Sequence, residues 1–393
     1  MRPSKILFVF IFCLFLKVSL AEVTVGNCRS DKHSYPTISA AIAAAPAGGL
    51  VNVCPGTYAE QLEIDKPLTL RGIMGVPSIV VPSDGLNQLP NEPGVYPQVF
   101  VNNAGGEVKL TNIMVDGSDA VLNFEGLVFA VDNLCPTGAL QNFVGVYFVN
   151  TPGVLESVNV SNQFASFFLP EDEGPQVIPN CGSGVQFSGS RSAVVRNSSV
   201  SNVGFQAVYS NGDLTADHNV ISGGFGPHGI GIGSVSGTIA NNSITGSIGY
   251  YKTVGIQGAD VVRDNVVQSA IYGIMGAGTV RNNTLTNNAI SVSGGSDIAE
   301  NVISAPGTYY DPGCFNEGCD GTPTGPAFPT IGVDLGCGSA IPVRNNKIEG
   351  VGIGFANLES GERIARTNLL SNVTAVSTSC SGGAVGVGRS LTP

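Results

Sequence analysis

The chain has no tryptophan, three histidines and four methionines among 393 residues, and only 12% of its side chains are charged. With 53 glycines and no indole to bury, tight corners and thin coils fit this composition better than a compact sandwich. Cations are scarcer than anions, at 18 lysines and arginines against 29 aspartates and glutamates. Such a surface repels nucleic acid and anionic lipid. Beyond residue 21 no segment is apolar enough to cross a membrane. The lack of histidine also counts against metal ligation by cysteine, because only Cys314 and Cys319 lie close together and no histidine accompanies them.

What is present begins with a leader. Arg2 and Lys5 precede the apolar run Ile6 to Leu16, and Val18-Ser-Leu-Ala21 closes it with small residues. This is the pattern of a secretory signal over residues 1–21, cut near Ala21/Glu22. The expected location is extracellular, or periplasmic in a Gram-negative cell, with no membrane attachment after cleavage. The leader holds three of the 18 basic residues and none of the 29 acidic ones, so residues 22–393 carry 15 against 29, a net charge of −14. An anionic polysaccharide would then need a local basic cluster or a bridging cation. Cys13 leaves with the signal, and the even number remaining predicts disulfides. Proximity and coil register suggest Cys28–Cys54, Cys135–Cys181, Cys314–Cys319 and Cys337–Cys380, although spacing alone does not choose among pairings.

A short phrase recurs through the C-terminal half, an asparagine followed by aliphatic residues. It starts at Asn197, Asn219, Asn242, Asn265, Asn283, Asn301, Asn346 and Asn368, at intervals of 22, 23, 23, 18, 18, 45 and 22 residues. That period belongs to solenoids. A glycine-led strand recurs with it, as in Gly184-Val-Gln-Phe, Gly229-Ile-Gly-Ile, Gly255-Ile-Gln-Gly and Gly273-Ile-Met-Gly. One coil is too short to bury its own apolar residues; stacked at ~4.8 Å, coils hydrogen-bond to their neighbours and join their interiors into one column. Asparagines at a shared corner can bond along the stack and tolerate left-handed backbone angles, so the ladder is structural.

The predicted fold is therefore all-β, a right-handed parallel β-helix solenoid with an N-terminal cap helix, as a single domain over 22–393. The helix is expected at about 35–45, where the alanine-rich stretch sets Ile38 and Ile42 on one face and Pro46 ends it. Thr37 or Ser39 would cap it. Loop insertions are expected at about 76–107, with one or two coils around Val99-Phe-Val, and at 130–142, 169–182 and 306–329, where Pro, Asn, Gly or acidic residues interrupt the pattern. About forty residues, from Thr37-Ile-Ser-Ala-Ala-Ile through Asn52-Val-Cys-Pro-Gly-Thr-Tyr to Thr69-Leu-Arg-Gly, resemble the N-terminal module of pectin methylesterases and related pectin-lyase-like β-helix proteins. The resemblance implies a first β-helix turn with its cap.

One coil, Gly224-Phe-Gly-Pro-His228-Gly-Ile-Gly-Ile-Gly-Ser, resembles the histidine stretch of polygalacturonases, whose catalytic aspartates lie one and two coils upstream. Those slots fall at Gly204-Phe205 and near Asn180-Cys-Gly182, which offer no carboxylate. Inverting glycoside hydrolysis needs an acid and a base flanking the bond, so the resemblance extends to coil geometry without that chemistry. Lyase chemistry would need a cationic base such as Lys252, Arg263 or Arg281 beside a calcium held by carboxylates. An outward slot on the repeated strand is expected to run Gln186, Val208, Gly231, Gln257, Met275, Ser291, Asp334 and Gly354, with one carboxylate. Catalytic candidates are His228, Lys252 and Asp334; calcium candidates are Asp311, Glu317, Asp320 and Asp334, hard oxygen ligands around the cysteine-containing insertion. Two functions remain open. One is a secreted, monomeric protein that binds or acts on an extracellular, uronic-acid-containing polysaccharide as a lyase or hydrolase would; the other is a non-enzymatic surface, matrix or adhesion scaffold.

Overall fold

The computed structural model describes residues 22–30, 34–92, 94–118, 121–122, 142–163, 165–168, 175–178, 182–190, 192–223, 229–246, 253–310, 327–337, 341–358, 364 and 366–380. The leader, Cys135, Cys181, Cys314, Cys319 and most of the expected insertions lie outside these residues.

Almost every strand pairs in parallel with the equivalent strand of the next coil, producing a 23-stranded and a 12-stranded sheet. The result is a right-handed parallel β-helix with three faces. The coil Val254–Gly258, Val261–Arg263, Val266–Gln268 shows the order: first face, second face, third face. Its inward residues Ile256, Val262 and Val267 are fully buried. Above and below them stand Ile232, Ile239 and Ile244, then Ile274, Val280 and Leu285, in direct register. Aliphatic side chains, with a few phenylalanines, thus stack from Val25 to Leu358 as one continuous core.

The helix Ile38–Ala44 closes the N-terminal end. Ile38, Ala41 and Ile42 face the core, while the Thr37 hydroxyl accepts from the Ala40 N–H at 3.2 Å. A second cap comes from outside the helix: the Glu60 carboxylate accepts from the N–H groups of Ile38 and Ser39, at 2.7 and 2.9 Å, and from the Ser39 hydroxyl. The structure joins Cys28 to Cys54 at this end and Cys337 to Cys380 at the other.

Two residues always separate the second face from the third between Thr111/Met114 and Arg344/Lys347. The first of the two has positive φ, as at Asn241, Asp264, Asn282 and Asn345. The second points inward and carries the ladder. Asn265 Oδ1 accepts from the backbone and side-chain nitrogens of Asn242, while its own Nδ2 reaches Ile239 O, Arg263 O and Asn283 Oδ1. This pattern runs from Asn219 to Asn368, all buried. Asn197 is not a rung; it occupies the left-handed corner, and the Ser198 backbone N–H donates to Asn219 Oδ1.

The glycine-led strands have an equally local cause. A Cβ on Gly255 would stand 2.3 Å from Val267 Cγ1 and 2.7 Å from the Gly273 carbonyl, and Gly145, Gly184, Gly231 and Gly273 meet the same obstruction one coil on. These residues drop out of the strand pairing, so the first face carries a bulge in every coil.

Long excursions leave from the corner between the third and first faces, as the gaps Val80 to Val95, Asp116 to Asn142, Gln163 to Gly182, Ser222 to Ile230, Thr245 to Val254 and Ser304 to Ile331 show. Within 76–107, Ser78–Val80 and Val95–Asn102, the strand that holds Val99-Phe-Val, pair in register with neighbouring coils, and an excursion runs between them. Within 306–329 the strands Thr308–Tyr310 and Ala327–Pro329 form an antiparallel stem. Pro175–Ile178, inside 169–182, pairs antiparallel with Ala165–Phe168.

Candidate functional site

The first face is the one bordered by these excursions, and the bulge gives it two outward rows three residues apart. The row on the bulge side runs Ser183, Gln206, Ile230, Val254, Tyr272, Ile290, Ile331 and Ile353. The other runs Phe100, Tyr147, Gln186, Tyr209, Gly233, Gln257, Met275, Ser293, Asp334 and Ala356. The expected outward slot is thus corrected at Val208, Gly231, Ser291 and Gly354: Val208 lies in the core and the other three stand at the bulge, because counting by simple alternation across an unpaired residue shifts the face.

Amide and aromatic groups dominate the middle of this surface. Gln186 Nε2 donates to Ser183 Oγ and Gln206 Oε1, each at 3.0 Å, linking two coils and both rows. The Tyr209 ring lies over Gly233, where an added Cβ would sit 2.8 Å from Cδ2. Gln257, Tyr272 and Met275 follow, all half-buried. Toward the N-terminal end the excursion after Val80 folds onto the face. Leu89 packs on Val144 and Tyr147, and the Tyr147 hydroxyl donates to Glu92 at 2.8 Å. Burial, then Glu92, pushes the Tyr147 phenol well above its ordinary range. Gln61 ties the same excursion down by donating to Asn87 O and Pro97 O and accepting from Asn87 N–H. No lysine or arginine stands in either outward row among the described residues.

Asp334 is the single carboxylate in the middle and C-terminal part of these rows. Its Oδ1 accepts from Asn357 Nδ2 at 2.7 Å and from Gly336 N–H at 3.1 Å, the geometry of a corner being fixed. His228, Lys252, Asp311, Glu317 and Asp320 lie outside the described residues. Among the described residues no three His, Cys, Asp or Glu side chains converge as a metal centre.

The charges instead collect on the second face. Glu156 pairs with Lys109 and Arg196; the Lys109 bond, against a smaller opposing desolvation, holds its carboxyl below the usual range. Asp297 pairs with Arg344 and, at 3.7 Å, with Arg281; Arg263 pairs with Asp264. Sequence reasoning passed over His218, whose Nδ1 lies 2.8 Å from Asp217 Oδ2 while Asn241 donates to Oδ1. Burial works to raise the Asp217 carboxyl, but the bonds from Asn241 and His218 leave it lowered. These pairs are partly exposed and neutralise one another, which suits surface structure more than a reaction site.

A scan against protein-family models finds no match, and a search of curated proteins finds none either. Solved structures similar to the chain include an alginate lyase from Paenibacillus, at 13% identity over 86% of this chain and 96% of that one with a TM-score of 0.45. The A-module of the Azotobacter vinelandii mannuronan C-5 epimerase AlgE6 is 17% identical over 86% and 90%, at 0.45. PfbA, a surface adhesin of Streptococcus pneumoniae, is 11% identical over 89% and 91%, at 0.40. At these identities and scores the likeness adds nothing to the coil geometry already described and carries no activity.

Proposed function

We propose that the protein is an extracellular, non-catalytic polysaccharide-binding β-helix whose first face takes an extended neutral glycan along the solenoid axis. The observation that carries this reading is the in-register run of half-buried Gln186, Tyr209, Gln257, Tyr272 and Met275, with no lysine or arginine in either outward row among the described residues. Tyrosine rings offer flat apolar surface to the C–H side of a sugar, and amides both donate to and accept from hydroxyls. A coil spacing of ~4.8 Å is close to the length of one sugar residue, so a chain lying along the axis meets equivalent groups repeatedly. A uronate polymer would bring one carboxylate per residue to rows that hold no countercharge among the described residues, on a protein of net −11 over the full chain. A neutral or esterified chain meets no such penalty. Among the described residues Asp334, itself bound at a corner, is the one carboxylate in the middle and C-terminal part of the rows, and no acid and base pair of the kind glycoside hydrolysis requires stands there.

The test is a panel of β-glucans, xylan, methyl-esterified pectin, polygalacturonate and alginate, with and without calcium. Binding would be followed by calorimetry, and products by reducing ends and unsaturated-sugar absorbance. Binding to a neutral or esterified member with no products is expected. Turnover of any member, or calcium-dependent binding confined to the acidic ones, would overturn the proposal.

A further inference from the structure

The third face is uncharged over seven successive strands and, unlike the first, presents a regular alternation of exposed valine with serine or threonine. From Asn159–Gln163 through Ser199–Val203, Val220–Ser222, Ser243–Thr245, Val266–Gln268 and Thr284–Thr286 to Val302–Ser304, its strands contain no charged residue. All of these strands are parallel and in register. One outward row places Val220, Val266 and Val302, exposed to 52, 42 and 44%, on alternate coils, with serine or threonine between them. The other is mainly a hydroxyl row that includes Ser222, Thr245, Thr286 and Ser304. Coils follow at ~4.8 Å and outward residues along a strand at ~6.6 Å, so the face is a two-dimensional lattice of methyl and hydroxyl groups. The excursions leave from its far corner, and the two-residue corner on its other side holds the ladder that keeps the coils in step.

We infer that this third face binds ice. An ordered water lattice is a partner that needs no charge, and charges would oppose it by holding their own hydration shells. Methyl groups order neighbouring water without competing for its hydrogen bonds, and hydroxyls can replace a water as donor and acceptor. A rigid periodic array is then required, because each contact is weak and only simultaneous contacts hold. The β-helix supplies that rigidity. A soluble glycan chain would not make use of a planar lattice, and the lattice ends where the Lys347–Glu349 ion pair begins. This inference stands apart from the polysaccharide reading, since it uses a different face.

The experiment measures the gap between melting and freezing points, and the shape of single ice crystals, for residues 22–393. Val266→Lys changes an exposed position of the lattice and Thr284→Tyr a half-buried outward one; Thr279→Lys places the same charge outward on the second face as a control. Circular dichroism melts confirm folding of each variant. The parent and Thr279→Lys are expected to shape ice and hold a measurable gap, and Val266→Lys and Thr284→Tyr to lose most of it. No gap in the parent overturns the inference, as does a gap kept by Val266→Lys or lost equally by Thr279→Lys. Sedimentation is run in parallel: a parent dimer split by Val266→Lys, without ice shaping, would assign the face to self-pairing and likewise overturn it.

Discussion

Removing one rung of the asparagine ladder gives a sharp test of how the coils are held in step. In Asn265→Ala, the buried Asn242 N–H loses its acceptor at 2.9 Å and the Ile239 carbonyl loses a donor at 2.9 Å. Asn242 Nδ2 keeps Ala216 O and Ala240 O, and Arg263 O keeps the Asn241 N–H, so these need not be counted as orphans. An orphaned buried N–H costs ~1–3 kcal/mol and the further lost bond ~1 kcal/mol, placing the variant at about 2–4 kcal/mol. Asn197→Gly is the matched control. Asn197 occupies the left-handed corner at φ 50°, which glycine adopts freely, so the expected cost is within ~0.5 kcal/mol. Urea unfolding followed by far-UV circular dichroism, with slopes compared, measures both. A cost below ~1 kcal/mol for Asn265→Ala, or an equal cost for Asn197→Gly, would refute the assignment of rung and corner.

Gly255→Ala forces a methyl against Val267 and the Gly273 carbonyl and is expected to destabilise by ~1–3 kcal/mol in the same assay. Glu60→Ala removes the external cap from the N-terminal helix and should cost about 1–2 kcal/mol, with Thr37 still capping. Tyr147 titrates above its unfolded value of ~10, so its contribution is complete below that pH and is lost as pH rises through the folded value. Tyr147→Phe should therefore flatten the loss of stability above pH ~10 seen in pH-dependent melts. Asp116, Glu156 and Asp217 are lowered instead, so their contribution is present above the unfolded carboxylate range and fades as pH falls through their folded values. Stability should decline below pH ~4, and the melts check both limbs.

Much of the architecture was legible because it repeats. The asparagine period located the tight corner, since the same two residues close every coil there and any departure would break the stack. Asn197 misled by one position: where Asn-Ser and Asn-Asn pairs stand at a corner, the residue that turns the chain and the one that bonds inward look alike in sequence, and only the αL geometry separates them. The outward face was misread for a related reason, because the bulge glycine adds a residue to each coil and defeats a count by twos. The Glu60 cap and the Tyr147–Glu92 bond join residues 22 and 55 positions apart, contacts no local pattern encodes. For the site, repetition indicated where carboxylates were missing; the amide and aromatic rows emerged only when register was observed.

The account rests most heavily on the first face as a neutral-glycan surface, and a calorimetric titration tests that most directly. Parent, Tyr209→Ala and Gln257→Ala are titrated with the best neutral or esterified polysaccharide of the panel, alongside polygalacturonate. Losing an aromatic platform or a desolvated amide partner should each weaken neutral-glycan binding by about tenfold, equivalent to ~1.4 kcal/mol, with polygalacturonate silent throughout. Equal affinity in parent and both variants, or preference for polygalacturonate, would contradict the account.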